Sequence, residues 1–399
     1  MKNWILASTN KTYSGTKELE FSNLCQVGEE QLDFLADIDG QWHNAVTDLP
    51  GIWRYLPLLP VSEYAAERVL IPGKPEFMKP VLSRELAKIL GVNKVYLFPY
   101  LEGPSGTFKD VEAALVVAKT IDWGFEDETI SIHSTGNTAR AYSAFATQAG
   151  IKSVAYVPFG TRRKMQGANK SELGKIVYAD VPFETFGPIV TKHAKEHGYR
   201  HLAPLKWKVE GKAPHAYHIF ENAPDVNVIT QTVGGGFGPI GTHTGMSRLR
   251  KYGLLNHKVR FELVQVEESN AIDKMLQLNG HADIFEFKFP KVPFEPTLFS
   301  TNAAITLAYL KPILQQTGSH ITSTGVPFVE DSAFELLKAA EDFGLELSYD
   351  DERCPFIAWA GLKTAAQKGL LKSTDNVALM VTGSPKRTGV IPDGEIIFS

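Results

Sequence analysis

From residue 83 onward the apolar positions fall into two alternating rhythms. Residues 83–90 read as a helix stopped by Gly91, and 95–98 as a short β-rich run. Residues 108–123 place Val111, Leu115 and Ala118 at i, i+4 and i+7 and end at Gly124, which is helical spacing with a glycine stop. Residues 129–133 alternate as a strand does, and the Ala-rich, Pro-free stretch 137–149 before Gly150 predicts a helix. Further strands are expected at 153–157, 175–179, 226–233, 261–266 and 377–381, with a helix over 239–252. Strands alternating with helices of a dozen residues predict an α/β fold with a mostly parallel sheet. The first 75 residues read as irregular, with short apolar groups broken by Gly, Pro and Asp.

A chain of 399 residues exceeds what one core usually supports, so two or three domains are expected. With 43% hydrophobic and 22% charged residues, the composition excludes a disordered, collagen-like or long coiled-coil chain. The net charge of −4 argues against a nucleic-acid partner. Cys25 and Cys354 are too few for a disulfide framework or a thiolate zinc site, so both are expected as reduced thiols and no metal is expected. No apolar run reaches the roughly 18 residues of a membrane span, and Trp4 to Ala7 falls short of a signal-peptide core. The expectation is a soluble, cytoplasmic protein.

In parallel sheets, chemistry gathers in loops leaving the carboxyl ends of strands. The loop Glu102 to Asp110 puts Lys109 at the first turn of a helix, where the dipole disfavours a charged amine but tolerates a neutral or covalently occupied one. The loop Ser134-Thr135-Gly136-Asn137-Thr138 sets hydroxyls and an amide ahead of free backbone N–H groups, which suits a carboxylate or phosphate. Gly234, Gly235, Gly236, Phe237 and Gly238 lie between a strand and a helix and would let backbone N–H groups approach a phosphate closely. Gly236 to Gly241 also fits the G-x-G-x-x-G spacing of a dinucleotide site, with Glu267 and Glu268 beyond it, so an NAD-dependent oxidoreductase is a second reading. A fourth loop, from Thr382 to Lys386, offers hydroxyls at the sheet edge.

Taken in this order, the loops resemble those of the fold-type-II pyridoxal-phosphate enzymes, and among them threonine synthase. Gly103-Pro-Ser-Gly-Thr-Phe-Lys109-Asp110 is similar to that family's lysine loop, Ser134 to Thr138 to its asparagine loop, and Val233 to Gly238 to its glycine loop. Gly51-Ile-Trp53-Arg54-Tyr55 and Glu210-Gly211-Lys212 look like two further synthase segments. The resemblance implies pyridoxal 5′-phosphate as cofactor, Schiff-base linkage and proton transfer by Lys109, and a hydrogen bond from Asn137 to the cofactor's phenolic oxygen. It implies a phosphate cradle of Gly234 to Gly238 and Thr382 at the pyridine nitrogen. Ser134, Thr135 and Thr138 would take the substrate carboxylate, and Arg140 is a candidate for a substrate phosphate or sulfonate, as are Arg162, Arg163 and Lys164. The fold implied is tryptophan-synthase-β-like, with parallel sheets and flanking helices in two domains. Residues 1–104 and 199–399 would form the large, cofactor-binding domain, and 105–198 a smaller inserted one that closes over the substrate. A homodimer is implied as well.

The activity implied is elimination and addition or replacement at the β or γ carbon of an amino acid, as in conversion of O-phosphohomoserine to threonine and phosphate. Departures cluster near the pocket: Gly103 where the family has Asn, Val111-Glu112 where it has Arg-Gly, and Ser384-Pro385-Lys386-Arg387 in the last loop. They leave open another substrate, as in a cysteate synthase-like or specialised-metabolite enzyme. A non-catalytic scaffold is the remaining alternative, which intact Lys109 and Asn137 argue against. His193 with His197, and His215 with His218, read as solvated helix faces, and Asp350-Asp351-Glu352 as a helix cap.

Overall fold

The computed structural model describes residues 3–6, 9, 11–16, 19–20, 26–27, 30–36, 38–168, 171–202, 205–277, 293–298, 303–383 and 385–398. Cys25 and Ser384 lie outside the described residues.

Along the chain, strands β1 (Asn3–Leu6), β2 (Lys11–Ser14) and β3 (Asp33–Leu35) pair antiparallel in the order β2-β1-β3. The N-terminal segment expected to be irregular thus holds a small sheet; its strands are three or four residues long, too short for a period to show. Next come β4 (Val81–Leu82), β5 (Lys94–Pro99), helix α1 (Lys109–Asp122), β6 (Ile130–His133), α2 (Asn137–Ala149) and β7 (Ser153–Pro158). Then follow β8 (Gly174–Asp180), β9 (Arg200–His201), β10 (Val228–Thr232), α3 (Phe237–Lys251) and β11 (Arg260–Val266). The last elements in the argument are β12 (His320–Thr324), α4 (Cys354–Gln367), β13 (Asn376–Val381) and β14 (Glu395–Phe398).

Two larger sheets result. One runs β12-β11-β10-β13-β5-β4, parallel throughout except β4. The other runs β9-β6-β7-β8-β14 and is parallel throughout, so it takes one strand, β14, from the far end of the chain. Parallel strands buried on both faces read as nearly continuous apolar runs. In β13, Val377, Leu379 and Val381 face the core that holds Trp359 of α4, and Ala378 and Met380 face the other. No helix of the described residues is long and apolar enough to cross a membrane.

Candidate active site

Strands β10, β13 and β5 are neighbours in the large sheet, point the same way, and end side by side. Each delivers one loop to the same pocket, and β6 of the second sheet delivers a fourth. The loop after β5 folds around Asp110, whose carboxylate accepts from Ser105 N at 3.0 Å; burial pushes its pKa up to about 7. Gly103 makes room for this turn, since a Cβ there would lie 2.9 Å from Asp110 Cγ. Lys109 is the first residue of α1, and its Nζ lies 4.7 Å from the centre of the Phe108 ring. Burial lowers the pKa of its amine.

After β6, Ser134 Oγ accepts from the N–H groups of Gly136 and Ala139 at 3.1 and 2.9 Å, which starts α2 at Asn137. Asn137 is buried; its Nδ2 donates to Glu352 Oε2 at 2.7 Å and its Oδ1 accepts from Arg387 Nη2 at 2.6 Å. After β10, Gly236 takes φ +84 and leads into α3. A Cβ on Gly234 would sit 2.9 Å from Leu298 O. Bare backbone at the N-terminus of a 15-residue helix is an anion cradle. After β13, Thr382 O accepts from Phe108 N at 3.0 Å and ties the last loop to the lysine loop.

One pocket is lined by Lys109, Asn137, Gly234 to Gly238 and Thr382, together with Phe108, Lys212, Thr297, Glu352 and Cys354. Ser134, Thr135, Thr138 and Arg140 are not among its lining residues. The hydroxyl of Ser134 is spent on the helix start. The Arg140 guanidinium donates to the carbonyls of Gln166 and Gly167, at 2.5 and 3.4 Å, beside a separate cavity.

Several residues here differ from their sequence reading. Glu352 is no helix cap: it lies in the pocket and pairs with Lys164 Nζ at 2.9 Å. Lys164 is half-buried and engaged in ion pairs, whereas Arg163 is exposed and lies 3.4 Å from Asp351. Arg162 donates to Phe159 O at 2.9 Å. His215 and His218 are buried, bonded to Tyr100 OH at 3.0 Å and Met78 O at 2.9 Å. His193 bonds Tyr156 OH at 2.8 Å and stacks on His197 at 4.1 Å. Lys208, which sequence patterning does not single out, has a pKa lowered to about 8 by burial and by the charge of Lys109. Glu112, the departure in α1, is buried against Lys212 and accepts from Tyr142 OH at 3.2 Å. The Glu210-Gly211-Lys212 segment therefore supplies the partner for that unusual carboxylate.

Residues 78–383 match the family described as pyridoxal-phosphate dependent enzyme. A threonine synthase of Methanosarcina acetivorans is 33% identical over 135 residues, 33% of this chain and 29% of that protein. A threonine synthase of Methanocaldococcus jannaschii is 23% identical over 339 residues, 84% of this chain and 80% of that protein. Among solved structures, diaminopropionate ammonia lyase of Escherichia coli superposes with a TM-score of 0.61 at 14% identity, covering 81% of this chain and 89% of that one.

Proposed function

The chain belongs to the pyridoxal-phosphate-dependent enzyme family, with the type II fold, and on that premise we propose that it is a lyase or synthase that converts O-phosphohomoserine and water to threonine and phosphate. The residues present fit the cofactor. A half-buried lysine with a lowered pKa supplies an amine that can carry it, and the side-chain-free cradle at Gly234 to Gly238 suits its phosphate. Thr382, which lines the same pocket, would offer a neutral hydroxyl to the cofactor's ring nitrogen. Bound there, the cofactor supplies an electron sink that acidifies the hydrogen on the substrate's α carbon.

The protein's own groups do the rest. As a neutral amine, Lys109 would take the α proton and give it back. Asn137, fixed between Glu352 and Arg387, holds the cofactor's phenolic oxygen. At the start of α2 Ser134 holds the N–H groups of Gly136 and Ala139, which leaves those of Asn137 and Thr138 to receive the substrate carboxylate, with the Thr135 and Thr138 hydroxyls beside them. The unit of residues 105–198 closes over the amino acid and keeps water from the reacting carbon until it is needed.

The convergence of three loops from three adjacent strands on Lys109 carries this reading. It is tested by the visible absorbance of the purified protein with added pyridoxal phosphate. Wild type should show a Schiff-base band that Lys109→Ala lacks, and the variant should turn over on the order of 10³-fold more slowly. Phosphate release from O-phosphohomoserine, measured beside a panel of other amino acids, then decides the substrate. No band in the wild type would overturn the assignment of the pocket.

A further inference from the structure

The support that Glu352 gives Asn137 depends on a cation. Glu352 Oε2 accepts from Asn137 Nδ2 at 2.7 Å and from Lys164 Nζ at 2.9 Å. The same ammonium stands 3.1 Å from Glu295 Oε1 and 2.9 Å from the carbonyl oxygen of Asp351. Ligand atoms of Glu295, Glu352 and Cys354 lie within 4.8 Å of one another, and all three residues are buried. Two buried carboxylates and a carbonyl are what a hard cation takes as ligands. Here the tip of a lysine fills their centre. The lysine stem rises along the asparagine loop where Gly136 has no side chain; a Cβ there would run into it.

Electrostatics makes this lysine indispensable to its neighbours. Two carboxylates so close and so dry repel each other unless a positive charge stands between them. The charged or titratable groups that face Glu352 are Lys164, Glu295, Cys354, Arg387 and, across the pocket, Lys109. Arg387 spends its Nη2 on Asn137 Oδ1, so Lys164 is the cation bonded directly to Glu352.

We propose that Lys164 is a built-in cation that fixes Asn137 through Glu352, a positioning residue doing with a tethered ammonium what a bound metal ion would do in its place. The role for Asn137 rests on reading the Lys109 pocket as the cofactor site; the cation role does not.

The test is Lys164→Ala titrated with ammonium chloride, with tetramethylammonium chloride as the salt control. The cofactor-free variant should melt below wild type and regain at least about half of the loss in ammonium alone, by occupancy of the vacated site. Wild type should respond equally to both salts. With pyridoxal phosphate added, the variant should bind it at least about tenfold more weakly, with a displaced visible band, and ammonium should restore both. Lys164→Gln keeps two donors without the charge and guards against misfolding. Its cofactor affinity should gain an acid limb between about pH 5 and 8, absent from wild type, as the uncompensated Glu352 takes up a proton. Wild-type band, affinity and pH profile in Lys164→Gln, or indifference of Lys164→Ala to ammonium, would overturn the proposal. A wild type that takes up no pyridoxal phosphate overturns the cofactor reading instead, and the melting arm then decides the cation role alone.

Discussion

Burial favours the neutral amine of Lys109: desolvation lowers its pKa, while Cys354 and Glu352 oppose that without cancelling it. The glycine cradle is equally dependent on what is missing. Alanine at 234 would place its Cβ 2.9 Å from the carbonyl oxygen of Leu298, a backbone atom with no flexible end to yield. Overpacking of this kind costs about 1–3 kcal/mol, so Gly234→Ala should weaken pyridoxal phosphate binding by about 10- to 100-fold, measured by equilibrium titration, with the fold intact by circular dichroism. Lys109, Asn137 and the glycines are legible in sequence because each belongs to a short run whose neighbours define the turn. Glu352 and Lys164 are not: 188 residues separate them, and an acidic run before a helix looks like a cap until its partner is seen. Arg140 shows the opposite case, a cation beside a recognisable motif whose donors are already spent on Gln166 and Gly167.

At the scale of elements, helix ends carry the most readable signal. Residues 137–149 are helical as expected because Gly150, at φ +77, accepts the left-handed turn that stops them. The helix α4 shows what hides an element. Ten of its 14 residues are buried, Trp359 and Phe356 among them, so it has no polar face and no period of 3.6. The small N-terminal sheet is held differently, by polar groups under aromatic cover. Glu20 accepts from Trp4 Nε1 at 2.8 Å and from Trp123 Nε1 at 3.2 Å, and pairs with Lys119 Nζ at 2.6 Å. Trp207 donates to its carbonyl at 2.5 Å and stands edge-on to both other indoles. Three elements distant in sequence, β1, α1 and the helix Leu205–Glu210, thus meet on one residue. Glu20→Ala leaves Lys119 buried without its closest partner and should cost about 3–5 kcal/mol of unfolding free energy. Urea denaturation of the variant beside Lys119→Met, which removes the cation instead, checks it: the loss should exceed that of a solvent-exposed ion pair, which is about 1 kcal/mol or less.

Across the whole molecule, ionisation of buried groups sets how stability depends on pH, and the opposing contributions can be weighed. Asp110 and Glu76 have folded pKa values raised by burial to about 7 and about 8. Each therefore takes up a proton more readily when folded, and stability rises as pH falls from 8 toward neutrality. Six histidines act the other way. Burial lowers His133 to about 3, His201, His218 and His243 to about 4, His215 well below the ordinary value of 6.5 and His193 below it. The unfolded chain binds those protons first, so stability is lost as pH drops below about 6.5, and six groups outweigh the three raised carboxylates Asp110, Glu76 and Glu262. A steeper loss follows below about 4.5. There Glu210, held to about 2 against burial by Arg248 and Lys206, and Glu352, held to about 2 against burial by Lys164, must be protonated. Glu210 matters beyond its own charge. Arg248 bonds it at 2.7 Å and Asp33 of β3 at 2.5 Å, so one buried guanidinium joins the N-terminal sheet to the helix behind the glycine loop. Urea midpoints of the cofactor-free protein should therefore fall in two stages on the acid side of about pH 6.5. Glu210→Gln should cost about 3–5 kcal/mol at pH 7, by leaving Arg248 short of a buried partner. That penalty should shrink as pH drops below about 4.5, where the unfolded chain takes up a proton that folded Glu210 refuses until about pH 2. A penalty that stays constant down to pH 3 would mean that Glu210 acts through packing and not through ionisation.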